Sequence, residues 1–412
     1  MKHRATKDRW WRRHKVLSIG ILVVIVVLGA VGGLVYSALS TPIGLATFTS
    51  HLATSVTAPG VAPPASWPAK GEGAFTVPSL GVSADSPTQT PVPIGSVTKL
   101  MTAWIILNDH PLAPGEQGPS ITVSDANVTD FQLEELDGQS VVAVAAGESL
   151  SEYQLMEGLL IHSANDFAGI LSVFDDGSMS GFVAKMNAQA AALGMSKTHY
   201  SDVSGLDPGS VSTPHDQLIL ATQLLKNPVF ASIVSMRSVT LPVAGTVTTY
   251  QPLLGTDGVV GVKSGLTSQA GGCDVMAVNW TVAGQVVQIL TSVTGQTGSN
   301  RLGAAGAAAL AIAKSVEATI QSVPVALSSV PAGTIGWPKS SVAAGVDHNV
   351  VLPAWPGQRI SVVVRQTQVV TSGLPKGHVV AALFSKNGDF AVRAPIATLS
   401  ALHEPTLLQR VV

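Results

Sequence analysis

Pro93-Ile94-Gly95-Ser96-Val97-Thr98-Lys99-Leu100-Met101-Thr102-Ala103-Trp104-Ile105-Ile106-Leu107 is the stretch from which the rest of this chain can be read. A Pro/Gly break delivers a serine, and an apolar run follows it. The pattern predicts a helix opened by Ser96 that stops near Asn108, ahead of Pro111, Pro114 and Gly115. Ser96 and Lys99, three apart, then lie on one face, one turn from each other. A lysine amine so placed can take the proton from the serine hydroxyl, a poor nucleophile until a base removes it. It does so only when uncharged, which a lysine near its reference pKa of about 10.4 is not. Burial and a second positive charge both favour the neutral amine.

Alone, S-x-x-K is weak, since most such pairs are a helix cap and a solvated lysine. Its weight comes from Ser163-Ala164-Asn165 and Lys263-Ser264-Gly265, in the order such a site needs. Lys263 would supply the second charge beside Lys99 and attract an anionic group on a substrate. Ser163 would relay a proton between lysine and leaving group, and Asn165 would hold a substrate amide. The alternative for these two is capping of a helix starting near Asp166. The backbone N–H of Ser96, at a helix start, is a natural oxyanion donor. The three segments together indicate a serine acyl-transfer enzyme.

Composition narrows the setting. The 412 residues allow two or more domains, and 46% hydrophobic with 12% charged residues suits a turn-rich globular protein. The net charge of −2 conceals seven basic residues and one acid before residue 16. Beyond them stand 16 basic and 24 acidic residues, so nucleic acid is not an expected partner. Residues 16–39 are almost wholly apolar. As a helix they span roughly 36 Å at about 1.5 Å per residue, enough for a hydrocarbon core of about 30 Å. Basic residues before the run place the N-terminus in the cytoplasm and the rest outside, on a membrane anchor. A signal peptide cleaved after Ala38-Leu39-Ser40 is the alternative, leaving a secreted protein. Cys273 is the only cysteine, so an intrachain disulfide is excluded, and its flanks read as buried strand. The ten histidines form no H-E-x-x-H pattern, so no metal or other cofactor is expected. Glu134-Glu135 and Asp175-Asp176 read as solvated loop charges.

The expected organisation is a basic tail (1–15), the anchor (16–39), and a Pro/Ser/Thr/Ala-rich linker (40–72). A catalytic domain (73–318) and a small all-β domain (319–412) follow. Helices are expected over 151–161, 181–193 and 304–316. Strands are expected over 259–262, 273–280 and 285–293, with a hairpin at Ala283-Gly284. This implies an α+β domain, an antiparallel sheet covered by helices. Short β runs at 359–370, 378–383 and 390–395 define the C-terminal domain.

With these residues in view, the chain resembles the D-alanyl-D-alanine carboxypeptidases, low-molecular-weight penicillin-binding proteins with S-x-x-K, S-x-N and K-T-G motifs. The likeness runs over about residues 73–316. It includes Gly158-Leu159-Leu160, Leu193-Gly194-Met195, Thr198-His199-Tyr200, Ser204-Gly205-Leu206 and Ala270-Gly271-Gly272-Cys273. It implies a β-lactamase/transpeptidase-like fold with Ser96 as acylated nucleophile, Lys99 as base, and Ser163 and Asn165 in the second motif. Lys263 and Thr267 would bind the substrate's terminal carboxylate, with Ser264 and Gly265 in the third motif. The backbone N–H groups of Ser96 and Leu266 would form the oxyanion hole. Ser264 replaces the usual threonine and keeps the hydroxyl; Leu266 stands where an aromatic or histidine is common. The C-terminal amphipathic helix by which many relatives attach is not evident in Leu407–Val412.

The implied activity is extracytoplasmic trimming of the terminal D-alanine from peptidoglycan stem peptides, with β-lactams as acylating inhibitors. D,D-endopeptidase activity uses the same residues. A β-lactamase would want a deacylating glutamate in an E-x-x-L-N-like segment, which is not found. A non-catalytic wall-binding or β-lactam-sensing scaffold is the alternative from another class.

Overall fold

The computed structural model describes residues 4–411; Met1, Lys2 and His3 of the basic tail and Val412 lie outside the described residues. Helix α1 (Arg4–Ser40) continues the apolar segment back through the basic stretch as one element. From Trp10 to Ser40 it is long and apolar enough to cross a membrane, and it is exposed along its length except at Ala38 near its end.

Two short strands follow, β1 (Thr47–Ser50) and β2 (Ser55–Thr57). Their existence corrects the expected linker. Composition over 40–72 suggests a solvated tether, but both strands find partners some 300 residues away in the C-terminal domain, where backbone pairing outweighs local preference.

The region expected to form the catalytic domain opens with β3 (Glu72–Val77) and β4 (Val82–Asp85). A 3-10 turn at Gly95–Thr98 then leads into α2 (Lys99–Asp109). Six helices come next: α3 (Asp125–Leu136), α4 (Glu152–Ile161), α5 (Asn165–Asp176), α6 (Met179–Ala192), α7 (Pro214–Leu224) and α8 (Pro228–Val234). Ser151 caps α4 through a capping box with Gln154. Strands β5 (Val259–Thr267), β6 (Gly271–Val282) and β7 (Gln285–Gln296) complete an antiparallel sheet of order β5-β6-β7-β3-β4. Ala283 and Gly284 both have positive φ, the two-residue turn whose twist suits a hairpin. Helix α9 (Arg301–Glu317) packs on β6 and β7, as its alanine-rich sequence suggests. The architecture is the expected α+β one. One face of the sheet and helices α2, α4 and α5 enclose an apolar core that includes Leu100, Leu155, Phe167 and Val275.

The C-terminal domain contributes β8 (Gln321–Ala326), β9 (Gly333–Trp337), β10 (Ser340–Gly345), β11 (Val350–Ala354), β12 (Arg359–Gln366), β13 (Val379–Asn387) and β14 (Phe390–Thr398). Its main sheet runs β1-β9-β10-β14-β13-β12-β2, so the two early strands form its opposite edges. A second core joins this sheet to α9 and the catalytic sheet, with Phe75, Ile289 and Ile312 beside Ile335, Leu352 and Val380. Leu407–Val411 forms a short helix, α10, which lies against α1.

Candidate active site

The turn that carries Ser96 is held between two backbones. An ideal Cβ on Gly265 would stand 2.5 Å from the Ile94 carbonyl oxygen and 3.1 Å from Ser96 N, so only glycine lets β5 close on this turn. Opposite it, Gly95 (φ 55°) would carry a Cβ 3.1 Å from Leu266 N. The N–H groups of Ser96 and Leu266 thus flank the same narrow seam, where an anionic oxygen would need its donors.

Lys99 is fully buried at the first turn of α2. Its Nζ lies 3.1 Å from Ser96 Oγ, 2.5 Å from Asn165 Oδ1 and 2.9 Å from the Ser204 carbonyl oxygen. Two of these partners are acceptors only. A neutral amine donates to both and keeps its lone pair for the Ser96 hydroxyl proton. Burial, and then the charge of Lys263, hold Lys99 well below its ordinary pKa.

Asn165 opens α5, and its amide nitrogen donates to Gln139 Oε1 at 2.8 Å. The oxygen holds Lys99 and one amide hydrogen goes to Gln139, so the second amide hydrogen remains for the substrate amide it is expected to hold. Ser163 stands in the left-handed region at φ 62°, a conformation a serine keeps only when its surroundings impose it. The N-cap of α5 is Ala164, without a side-chain cap, so neither Ser163 nor Asn165 is a capping residue. Ser163 Oγ instead accepts from Lys263 Nζ at 3.0 Å, and Lys263 also donates to the Ser264 carbonyl at 2.8 Å. Burial pulls Lys263 down to about 7, against the opposing effect of the Asp274 carboxylate.

The remaining expected residues border one cleft of about 390 Å³, together with Ser96, Ser163 and Asn165. Ser264 Oγ donates to the Tyr250 carbonyl at 3.3 Å. The Leu266 side chain is 41% exposed at the rim. Thr267 Oγ1 accepts from Ala270 N at 2.9 Å.

Sequence reasoning missed several contributors. Arg301, opening α9, donates to the Thr267 carbonyl at 3.0 Å and brings a positive charge to this end of the cleft. Tyr250 lines the cleft, its ring packed on His162, and Gln139 orients Asn165. Ser204 acts through its backbone; Gly205 (φ 89°) makes that possible, since a Cβ there would sit 1.8 Å from the Gly95 oxygen. The Ser204-Gly205-Leu206 block was visible in the sequence, but without a role. Glu134 corrects the expectation of a solvated charge. It lies half-buried on α3, and its Oε2 is buried with no hydrogen-bond partner. It lines a neighbouring cavity of about 630 Å³ that shares Gln139, Asn165 and Leu206 with the cleft. Burial pushes its pKa up to about 7, with Lys99 opposing.

Cys273 is buried and its thiol is pushed up to about 12 by burial, which suits a core residue. Among the described residues no group of His, Cys, Asp and Glu is arranged to hold a metal ion.

A family model described as D-alanyl-D-alanine carboxypeptidase matches residues 82–293. The chain is 36% identical over 185 residues to the D-alanyl-D-alanine carboxypeptidase DacB2 of Mycobacterium tuberculosis, covering 43% of this chain and 59% of that protein. It is 30% identical over 184 residues to DacF of Bacillus subtilis, covering 43% and 46%. The chain therefore spans about half the length of these relatives. Among solved structures, the Streptomyces K15 DD-transpeptidase superposes with a TM-score of 0.54 at 24% identity, covering 63% of this chain and all of that one. PBP3 of Streptococcus pneumoniae superposes with a TM-score of 0.58 at 19% identity, covering 82% and 100%. Likenesses at this identity speak for the fold.

Proposed function

Because this chain belongs to the D-alanyl-D-alanine carboxypeptidase family, we propose that it removes the terminal D-alanine from peptidoglycan stem peptides through an acyl-enzyme on Ser96. The observation that carries this is the buried Lys99 amine, 3.1 Å from Ser96 Oγ with its other contacts on two pure acceptors. The substrate carboxylate is drawn to Lys263, Thr267 and Arg301. Ser96 Oγ attacks the penultimate D-alanine carbonyl while Lys99 takes the hydroxyl proton. The resulting oxyanion is held by the N–H groups of Ser96 and Leu266. The proton taken by Lys99 returns through Ser163, which is bonded to Lys263 and gives its own hydroxyl proton to the leaving amine as it accepts the one from Lys99. The C–N bond then breaks and D-alanine departs. Water attacks the ester as the again-neutral Lys99 takes its proton, and Lys99 returns that proton to Ser96 Oγ as the acyl C–O bond breaks, which regenerates the free serine.

The strained amide of a β-lactam presents the same carbonyl and carboxylate and acylates the same oxygen. The catalytic body works outside the cytoplasm, with α1 retained as an anchor. Support comes from the basic residues before the apolar run and the absence of Lys, Arg, Asp and Glu between Lys15 and Lys70.

The test is intact-protein mass after penicillin for wild type and Ser96→Ala, alongside D-alanine release from a peptide ending in D-Ala-D-Ala. An adduct and D-alanine release that both vanish in Ser96→Ala are expected. An adduct persisting in Ser96→Ala, or no D-alanine release by wild type, overturns the assignment. Crosslinked muropeptides as a second substrate separate carboxypeptidase from endopeptidase action.

A further inference from the structure

The charge of this chain is divided by domain. Residues 73–318 carry twenty acidic and eight basic residues, whereas residues 319–412 carry seven basic and three acidic. Four of those seven cations share one surface. Strands β12, β13 and β14 contain no acidic residue, and their side chains alternate between the core and the outside. The register aligns Ser361 with Lys386 and Val363 with Phe384. It also aligns Phe384 with Arg393 and Lys386 with Ala391. Arg359 and Arg365 extend the same face of β12 in both directions.

At the centre of this face Val363 is 45% exposed and Phe384 37% exposed. The guanidinium carbons of Arg365 and Arg393 lie 5.8 and 5.6 Å from the Phe384 ring centroid. Among the described residues, none of the four cations has a carboxylate partner; Arg359 donates to Ser55 Oγ. The result is an unpartnered sheet face with an apolar centre inside a ring of cations.

The same domain is tied to the end of α1. The Trp337 indole N–H donates to the Gly44 carbonyl at 2.6 Å, and Ala46 N to the Val370 carbonyl at 2.9 Å. Only three residues separate Ser40 from the first of these ties, a reach of roughly 14 Å from Ser40 to Gly44 even fully extended. Helix α10 lies against α1 as a second tie.

We propose that the outer face of the C-terminal sheet, Arg359, Arg365, Lys386 and Arg393 around Val363 and Phe384, docks on the anionic phospholipid surface of the membrane that α1 enters. Charge complementarity selects phosphate headgroups, and the apolar centre suits the headgroup boundary. The short tie keeps this domain at the bilayer, while the acidic catalytic domain is repelled by the same surface and turned away from it. This goes beyond the proposed hydrolysis but rests on the anchor assigned with it.

The test uses the full chain in vesicles, with a nitroxide on Val363→Cys; Cys273 is buried, so labelling is selective. Carbonate extraction reports α1 insertion separately. Expected is a nitroxide at headgroup depth in phosphatidylcholine vesicles containing 30% phosphatidylglycerol, and water-exposed in phosphatidylcholine alone. Replacing Arg359, Arg365, Lys386 and Arg393 by Gln weakens docking roughly 10³-fold, at the usual contribution of a cation near an anionic bilayer. Penicillin acylation of that variant checks that it folds. A nitroxide exposed in both vesicles, or buried equally in the Gln variant, overturns the proposal. So does protection that appears only on adding a poly(glycerol phosphate), which would make a wall polymer the partner. If α1 proves extractable, flotation of the chain with the phosphatidylglycerol vesicles, abolished in the Gln variant, decides the docking on its own.

Discussion

Lys263 Nζ stands 3.0 Å from Ser163 Oγ, two residues 100 apart in sequence that meet where β5 passes the start of α5. The contact gives Ser163 a donor behind it, so its own proton is free for a leaving amine. Ser163→Ala is expected to lower kcat/KM for D-alanine release by about 10²–10⁴, the usual worth of a positioned proton-transfer group. Single-turnover kinetics on a D-Ala-D-Ala peptide measure it, and a loss below threefold would remove Ser163 from the proton path.

The charge on Lys263 sets an alkaline limit. Burial lowers this amine to about 7 while Asp274 raises it, so attraction of a carboxylate fades as pH climbs through that region. Asp274→Asn removes the charge that helps hold the proton. The alkaline limb of kcat/KM is therefore expected to move to lower pH, with the acid limb unchanged. A full pH profile of both proteins checks the sign.

Glu134 acts on the other lysine. Its carboxylate favours the charged form of Lys99, which opposes the function of a base. Glu134→Gln is expected to shift the acid limb of penicillin acylation to lower pH and to raise the rate above about pH 7, where the Glu134 carboxylate is charged. An unchanged acid limb would show that the two groups are electrically independent.

Gly265→Ala tests the seam between β5 and the nucleophile turn. The new methyl cannot fit 2.5 Å from the Ile94 oxygen, so β5 must back away and carry Leu266 N with it. Loss of one oxyanion donor corresponds to about 10²–10³ in rate. Stopped-flow acylation should show that loss while circular dichroism still reports a folded domain.

Deleting residues 47–57 tests the recruited strands. It would leave β9 and β12 as bare edges of the C-terminal sheet. Faster amide exchange in β9 and β12, with penicillin acylation of Ser96 preserved, is the expected outcome; unaltered exchange would mean that β1 and β2 contribute nothing to the sheet.

The parts of this molecule that could be read in advance are those fixed by short-range spacing. Ser96 and Lys99 share a turn, Ala283-Gly284 specifies a hairpin, and the apolar periods of α4 and α6 mark their helices. What escaped depends on distant partners. Thr47–Ser50 and Ser55–Thr57 are too short and too polar to announce themselves, and only β9 and β12 make them strands. Glu134 resembles any surface acid until α3 packs beside α5. Ser204 holds Lys99 by a carbonyl that every residue type possesses, and Arg301 reaches the cleft only because α9 starts beside Thr267.

The placement of β1 and β2 has a consequence for biogenesis. They leave the ribosome before the catalytic domain, yet their partners are made after it. Through all that synthesis residues 47–57 wait without the neighbours they will join. The chain from β3 to α9 is thus an insertion between strands of a single sheet, and that sheet closes last.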